Sequence, residues 1–366
     1  ARRDCEVIVM VGDGSYLMMN SDIYSTVLTG HKMIVVVCDN GGYAIINRLQ
    51  NFKAPKKIDR FSQENELNLL LNGRFLKQLG FTASLVAGYG PTGPSSGTLN
   101  GSVALLDLIG KLDFCDQFHL WAGRMLVPSD RSNFSGTWFM APWYYPGRYY
   151  NAATKNNAFF GTPVGPRQGP NGRNDGATIW GELGGGTLKY YAGAYDLYSA
   201  DSNPLLSGRI NLALLNPEPG YYHSSTYFGG MDILALAIGG QFQKAKGGGP
   251  DYSELNVDLL FEKNLNGAGV IDIEGAYYKY FGSSIESSYF VVASYLTPAK
   301  LGPGFIQPLV RLQQAKPAEG DTWTILEGQL GYVIEAYAVR LALGYQHTNA
   351  AGTQGNALYL GLQLQK

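Results

Sequence analysis

Apolar and polar residues alternate with period two along most of this chain, and the pattern is clearest at the C-terminal end. There Tyr337, Val339, Leu341, Leu343 and Tyr345 alternate with Ala338, Arg340, Ala342, Gly344 and Gln346. After a loop of Asn, Ala, Gly, Thr and Gln at Thr348–Gly355, Leu358, Leu360, Leu362 and Leu364 alternate with Tyr359, Gly361, Gln363 and Gln365. Successive side chains of a strand point to opposite faces, so each segment has one apolar face and one small or polar face. About ten residues is also the length of strand that crosses a bilayer at a tilt. The same unit recurs at 66–76, 81–89, 103–113, 118–126, 177–183, 188–198, 207–215, 232–243, 252–263, 270–281, 287–296, 305–314, 323–334, 337–347 and 356–365. Single-chain membrane barrels close with an even number of strands, so the pattern predicts an all-β fold: an antiparallel transmembrane β-barrel of about 16 strands.

The faces also say what the barrel holds. Leu255, Val257, Leu259 and Phe261 oppose Asn256, Asp258 and Glu262; Ile210 and Leu212 oppose Arg209 and Asn211; Val310 and Leu312 oppose Arg311 and Gln313. Charges at this spacing line an aqueous channel in a wide barrel. Arg124, Arg209, Arg311 and Arg340 are therefore expected on the pore wall, and Gln363 on the same face is expected to tolerate Arg. Tyrosines near segment ends (Tyr190, Tyr191, Tyr221, Tyr222, Tyr277, Tyr278, Tyr280, Tyr289, Tyr295) are expected at the membrane interfaces.

One connection departs from the pattern. Residues 127–176 lack sustained alternation and are dense in Gly, Pro, Asn, Trp and Tyr; connections this long are usually functional. They carry Arg131, Arg148, Lys155, Arg167 and Arg173 against Asp130 and Asp175, which leaves the loop three charges positive in a chain of net charge −1. At a constriction such an excess favours anions. The alternative is that the arginines pair with interior carboxylates such as Asp107, Asp258 or Glu274 and brace the loop. The stretch from Gly123 through Asp130 and Arg131 to Asn133, running on to Trp138–Trp143, resembles the strand-and-loop signature of phosphate-selective outer-membrane porins. The resemblance implies residence in the bacterial outer membrane, a homotrimer, a loop that narrows the pore, and diffusion of small anionic or polar solutes. Such barrels commonly end in an aromatic residue, and this sequence ends Leu364-Gln365-Lys366.

The first 54 residues read differently. Glu6–Val11 and Met33–Cys38 are continuous apolar runs, as in strands buried on both faces, and Tyr16–Thr29 between them reads as a helix. This is a βαβ unit. Gly12-Asp13-Gly14 after the first run and Asp39-Asn40 after the second resemble the pyrophosphate-binding part of thiamine-diphosphate enzymes, in wording closest to trihydroxycyclohexanedione hydrolases of inositol catabolism. That resemblance implies a Mg²⁺ held by Asp13 and Asn40, with Gly12 and Gly14 letting the backbone approach the diphosphate. The chain is thus divided into a fused thiamine-diphosphate-enzyme-like fragment, 1–54, and a barrel, 55–366.

Composition narrows the rest. Charged residues are 16%, against about 25% in ordinary soluble domains, while Gly numbers 48 and Tyr 25. The near-neutral charge gives no footing for nucleic acid. Cys5, Cys38 and Cys115 and four scattered histidines have no metal-ligand spacing. A barrel without a nucleophile–base arrangement is expected to be no enzyme and to need no cofactor, Mg²⁺ and thiamine diphosphate entering only if the N-terminal segment works as a hydrolase.

Overall fold

The computed structural model describes residues 7–12, 33–38, 65–74, 76, 78–89, 103–135, 139–144, 146, 148–151, 156–159, 172–197, 202–350 and 352–364. The chain divides into two compact units, residues 1–71 with 84–105 and residues 72–83 with 106–366.

In the first unit β1 (Val7–Gly12) and β2 (Met33–Cys38) run parallel, in register from Val7 beside Met33 to Gly12 beside Cys38. Parallel neighbours need a crossover of a dozen residues or more, and residues 13–32 supply that length. The helix expected at Tyr16–Thr29 lies outside the described residues, as do Asp13, Gly14 and Asn40.

The remaining elements in chain order are β3 (Asn65–Arg74), β4 (Leu79–Tyr89), β5 (Val103–Cys115), β6 (Phe118–Leu126), a single short helix α1 (Arg131–Ser135), β7 (Arg148–Asn151) and β8 (Asn156–Phe159). Then follow β9 (Arg173–Leu183), β10 (Leu188–Tyr195), β11 (Leu205–Ala213), β12 (Ile233–Gln243), β13 (Tyr252–Asn264) and β14 (Val270–Phe281). The chain closes with β15 (Ile285–Leu296), β16 (Phe305–Pro317), β17 (Trp323–Glu335), β18 (Val339–Ala350) and β19 (Thr353–Leu364). Among the described residues these form one fifteen-stranded sheet in sequence order, broken only where β6 pairs with β9; β7 and β8 form a hairpin of their own. The fifteen strands match the fifteen alternating segments one for one. Three details differ. Ala350 pairs with Thr353, so the loop expected at 348–355 is a tight turn. Arg173 already belongs to β9, which ends the long connection four residues early. The hairpin β7–β8 lies inside that connection, where four-residue strands are too short for alternation to show.

The sheet is inside out by the standard of a soluble protein. On β13 Leu255 and Val257 are 57% and 50% exposed, while Glu254 and Asn256 are each 1% exposed. On β19 every outward leucine from Leu358 to Leu364 is more than half exposed. The polar face is thus the hidden one. A large antiparallel sheet hides its polar face and shows leucine only when it curls on itself and the outside meets lipid. The interior also holds tyrosines expected at the membrane interfaces: Tyr191, Tyr221, Tyr278 and Tyr280 are buried. For Tyr191, Tyr278 and Tyr280 period two explains this, because each neighbours an outward residue on its strand; Tyr221 lies in the connection between β11 and β12.

Candidate functional site

At Leu126 the chain leaves the wall and folds inward as a strap, described at residues 127–135 and 139–144, over the hidden face. Its first part, Val127–Ser135, is buried throughout. The Arg131 backbone N–H donates to Asp258 on β13 (3.3 Å), and Ser132 Oγ donates to Glu274 on β14 (3.3 Å). Asp130 accepts from Tyr278 Oη and Ser129 Oγ, each at 2.8 Å. Burial, with Asp258 nearby, pushes the Asp130 carboxyl up to about 7. Farther along, Trp143 N–H donates to Gln329 on β17 (2.7 Å), and the Trp143 ring lies where a Cβ on Gly361 of β19 would stand.

Arginines of the wall grip the strap's carbonyls. Arg209 on β11 is ion-paired to Asp258 and donates to Ser129 O (3.1 Å). Arg311 on β16 pairs with Glu327 (2.6 Å) and donates to Tyr144 O (3.0 Å). Arg340 on β18 donates to Gln363 Oε1 (2.8 Å), to Met140 O and to Ala141 O (3.3 Å). Bracing was expected of the loop's own arginines; here arginines of the wall also brace the strap. The partners Asp258 and Asp107 are among those the sequence offered.

The remaining expected pore residues are scattered. Arg124 does not face the pore: buried Trp121 and Met125 fix the inner face of β6, so Arg124 points outward and pairs with Asp175 at 2.7 Å. Arg173 is on the wall rather than in the loop, held to Asp107 at 2.9 Å. Arg148 begins β7, and its side chain lies outside the described part; Arg167 is outside the described residues altogether. Gln363 is buried between Arg340 and the Tyr337 carbonyl, so the expected tolerance to Arg does not hold.

Arg131 is different in kind. It is 1% exposed and donates both terminal nitrogens to Glu218, at 2.7 and 2.6 Å, and to Ser224 O at 2.9 Å. Glu218 lies in the connection 214–232 between β11 and β12. Strands β9, β10 and β11 carry the chain across the wall three times, so this connection starts from the edge opposite the strap's. It too turns inward. Glu262 on β13 accepts from Thr226 Oγ and the Tyr227 and Gly229 N–H groups, and Lys189 donates to Gly220 O (2.6 Å). The Arg131 guanidinium holds the Glu218 carboxyl well below the usual range despite burial, while burial pushes the His223 imidazole down to about 4. Sequence reading missed this connection. Its signal is Pro217-Glu218-Pro219, a carboxylate fixed between two prolines in a stretch too long for a turn.

Around the junction Phe134 packs on Tyr221 (5.0 Å between ring centroids) and Tyr191 (5.1 Å). Among the described residues nine carboxylates and five cations are buried. All five cations have acceptors: four arginines as above, and Lys189 near Glu182 as well as Gly220 O. A hidden polar wall, a leucine exterior and an inward strap returning beside its point of departure make one architecture. The fold is an antiparallel β-barrel of the kind found in outer-membrane porins.

Solved porins share that fold. OprB of Pseudomonas putida is similar over 82% of this chain and 86% of its own, with TM-score 0.55 and 9% identity. OmpF of Salmonella typhi is similar over 80% and 85%, with TM-score 0.52 and 9% identity. At this identity the likeness is one of fold.

The N-terminal residues have sequence relatives of another kind. Residues 1–81 match the profile of the thiamine pyrophosphate enzyme C-terminal TPP binding domain. Over 86 residues this chain is 40% identical to 3D-(3,5/4)-trihydroxycyclohexane-1,2-dione hydrolase 2 of Bacillus cereus, and over 91 residues 35% identical to the hydrolase of Clostridium tetani. These matches cover 23% and 25% of this chain, and 13% and 14% of the relatives' length. They run against the expectation that the chain is no enzyme, over a short stretch: the match to an enzyme domain extends past the boundary expected at Ala54, to residue 81.

Proposed function

We propose that the barrel is a diffusion porin of the bacterial outer membrane, passing small hydrophilic solutes through a lumen narrowed by the strap. The observation that carries this is the inversion of faces, with leucine outside and paired charge inside. The strap's place supports kinship with phosphate-selective porins, and so does its sequence; a homotrimer rests on that same resemblance. Anion preference draws no support from Arg131, whose charge is spent on Glu218, nor from the wall arginines, which hold acceptors of their own. The proposal is therefore permeation with little preference for anions. Purified protein in planar bilayers should give stepwise ion currents with a zero-current potential near zero in a KCl gradient. Absence of steps overturns the porin reading, and a strong shift to the anion side overturns the weak selectivity.

A second reading applies to residues 1–81 alone. Gly12 and Cys38 are register partners, so in the sequence Asp13 comes directly, and Asn40 two residues, after adjacent carboxyl ends of parallel strands, the place where such sheets bind ligands. Oxygen donors there suit a Mg²⁺ bridging a diphosphate. The reading covers binding of thiamine diphosphate by this segment and not the hydrolase reaction. Calorimetry with the cofactor and Mg²⁺ should give heat that Asp13→Ala abolishes; no heat from the parent chain sinks it.

A further inference from the structure

Resting on the porin reading, we propose that the strap and the connection 214–232 form a latch that sets the width of the pore, with Arg131–Glu218 as its catch. The two segments enter from opposite edges of the wall and meet over a shared surface. Besides the bidentate pair, Ser225 N–H donates to Phe139 O (3.0 Å), Ala141 N–H donates to Ser225 Oγ (3.2 Å), and Tyr221 Oη donates to Leu126 O (3.0 Å). Phe134 fills the gap against Tyr221 and His223.

What singles this pair out is where its members sit. Arg209, Arg311 and Arg340 reach from strands to the strap and fasten it to the wall. Arg131 and Glu218 are both off the wall, so their bond fastens one inward segment to the other. A buried ion pair is poor glue but a sharp discriminator. Desolvation offsets much of its attraction, yet removing one member leaves a buried, uncompensated charge. The latched arrangement therefore has no half-open version in which one partner is simply left behind. Glu218 is presented for this role by prolines on both sides, which reduce the freedom its segment loses on docking. Tyr227 Oη also donates to Glu218 Oε1 (2.5 Å), so the connection orients its own carboxylate. Strap and wall stay joined when the catch is broken. The connection stays tied to the wall at Gly220 and at Thr226–Gly229, and the stretch between those ties is what gives way, opening the lumen from its own edge.

The test uses the full chain in planar bilayers. Glu218→Ala should raise unitary conductance by about twofold or more, because the segment facing the strap retracts. The double variant Arg131→Met with Glu218→Leu keeps both segments packed without a stranded charge, and should return conductance to the parent's value. In parallel, Ser225→Cys is placed in a chain whose own cysteines are serine. A water-soluble maleimide should leave it unlabelled with the latch intact and label it in the Glu218→Ala background. Parent-like conductance together with an unlabelled Cys at position 225 in Glu218→Ala overturns the latch. Labelling that rises while neither protein conducts supports the latch and overturns the porin reading instead.

Discussion

His223 is the residue through which acidity reaches the two inward segments. Its imidazole is buried against Phe134, with Tyr191 Oη 3.3 Å from Nε2 and Glu218 3.3 Å from Nδ1, and burial holds its pKa down to about 4 from an ordinary 6.5. Between those values the unfolded chain binds a proton that the folded one refuses. Its contribution to stability is therefore full above about 6.5 and is lost as pH falls through about 4. The difference in urea midpoint between the parent and His223→Gln, measured in lipid vesicles, should rise with pH across that window and stay level above it. The slope is on the order of 1.4 kcal/mol per pH unit at most. A difference independent of pH would show that folding leaves the imidazole's pKa unchanged. On the outer face Leu341→Arg or Leu360→Arg should cost about 2–4 kcal/mol, since each sets a charge in lipid. Gln363→Arg should also destabilise, by crowding a second guanidinium onto Arg340. Vesicle unfolding of the three variants checks this, and a neutral Leu360→Arg would mean the faces are misassigned.

At the scale of elements, alternation located every wall strand because half-buried strands write their two faces directly into the sequence. Leu358 to Leu364 and their Gly and Gln neighbours are the plainest case. The strap and the connection 214–232 were harder. Neither is a strand, so no period of two marks its buried residues, and Arg131 looks identical in sequence whether it faces solute or Glu218. Arg124 misled for a related reason: charge on a barrel strand is expected inside, yet its cross-strand partner Asp175 lets it stand outside. A glycine marks where strap and wall touch. A Cβ at Gly361 would come within 2.2 Å of the Trp143 ring, so Gly361→Val should lift that end of the strap. The expected readout is a larger unitary conductance with an unchanged β-sheet circular dichroism spectrum. An unchanged conductance would mean Trp143 does not bear on the pore.

For the molecule as a whole, the hidden polar face and the bared leucines predict two behaviours of one chain. Reconstituted in vesicles, the wall should resist protease, with cleavage at exposed turns such as Gly247–Gly249, where a Cβ would meet nothing within 4 Å. Kept in buffer without lipid, the same chain should be digested through its strands. Equal digestion in both would deny the wall its membrane. Alternation also governs the journey to that membrane. Read end to end, the sequence has a mean hydropathy of −0.10, because each leucine is diluted by the glycine or glutamine beside it. Its greasiness is an emergent property, absent from the extended chain and created by strand pairing. Along the alternating strands, machinery that recognises long apolar helices therefore has little to hold, and their taste for lipid comes with the act of folding.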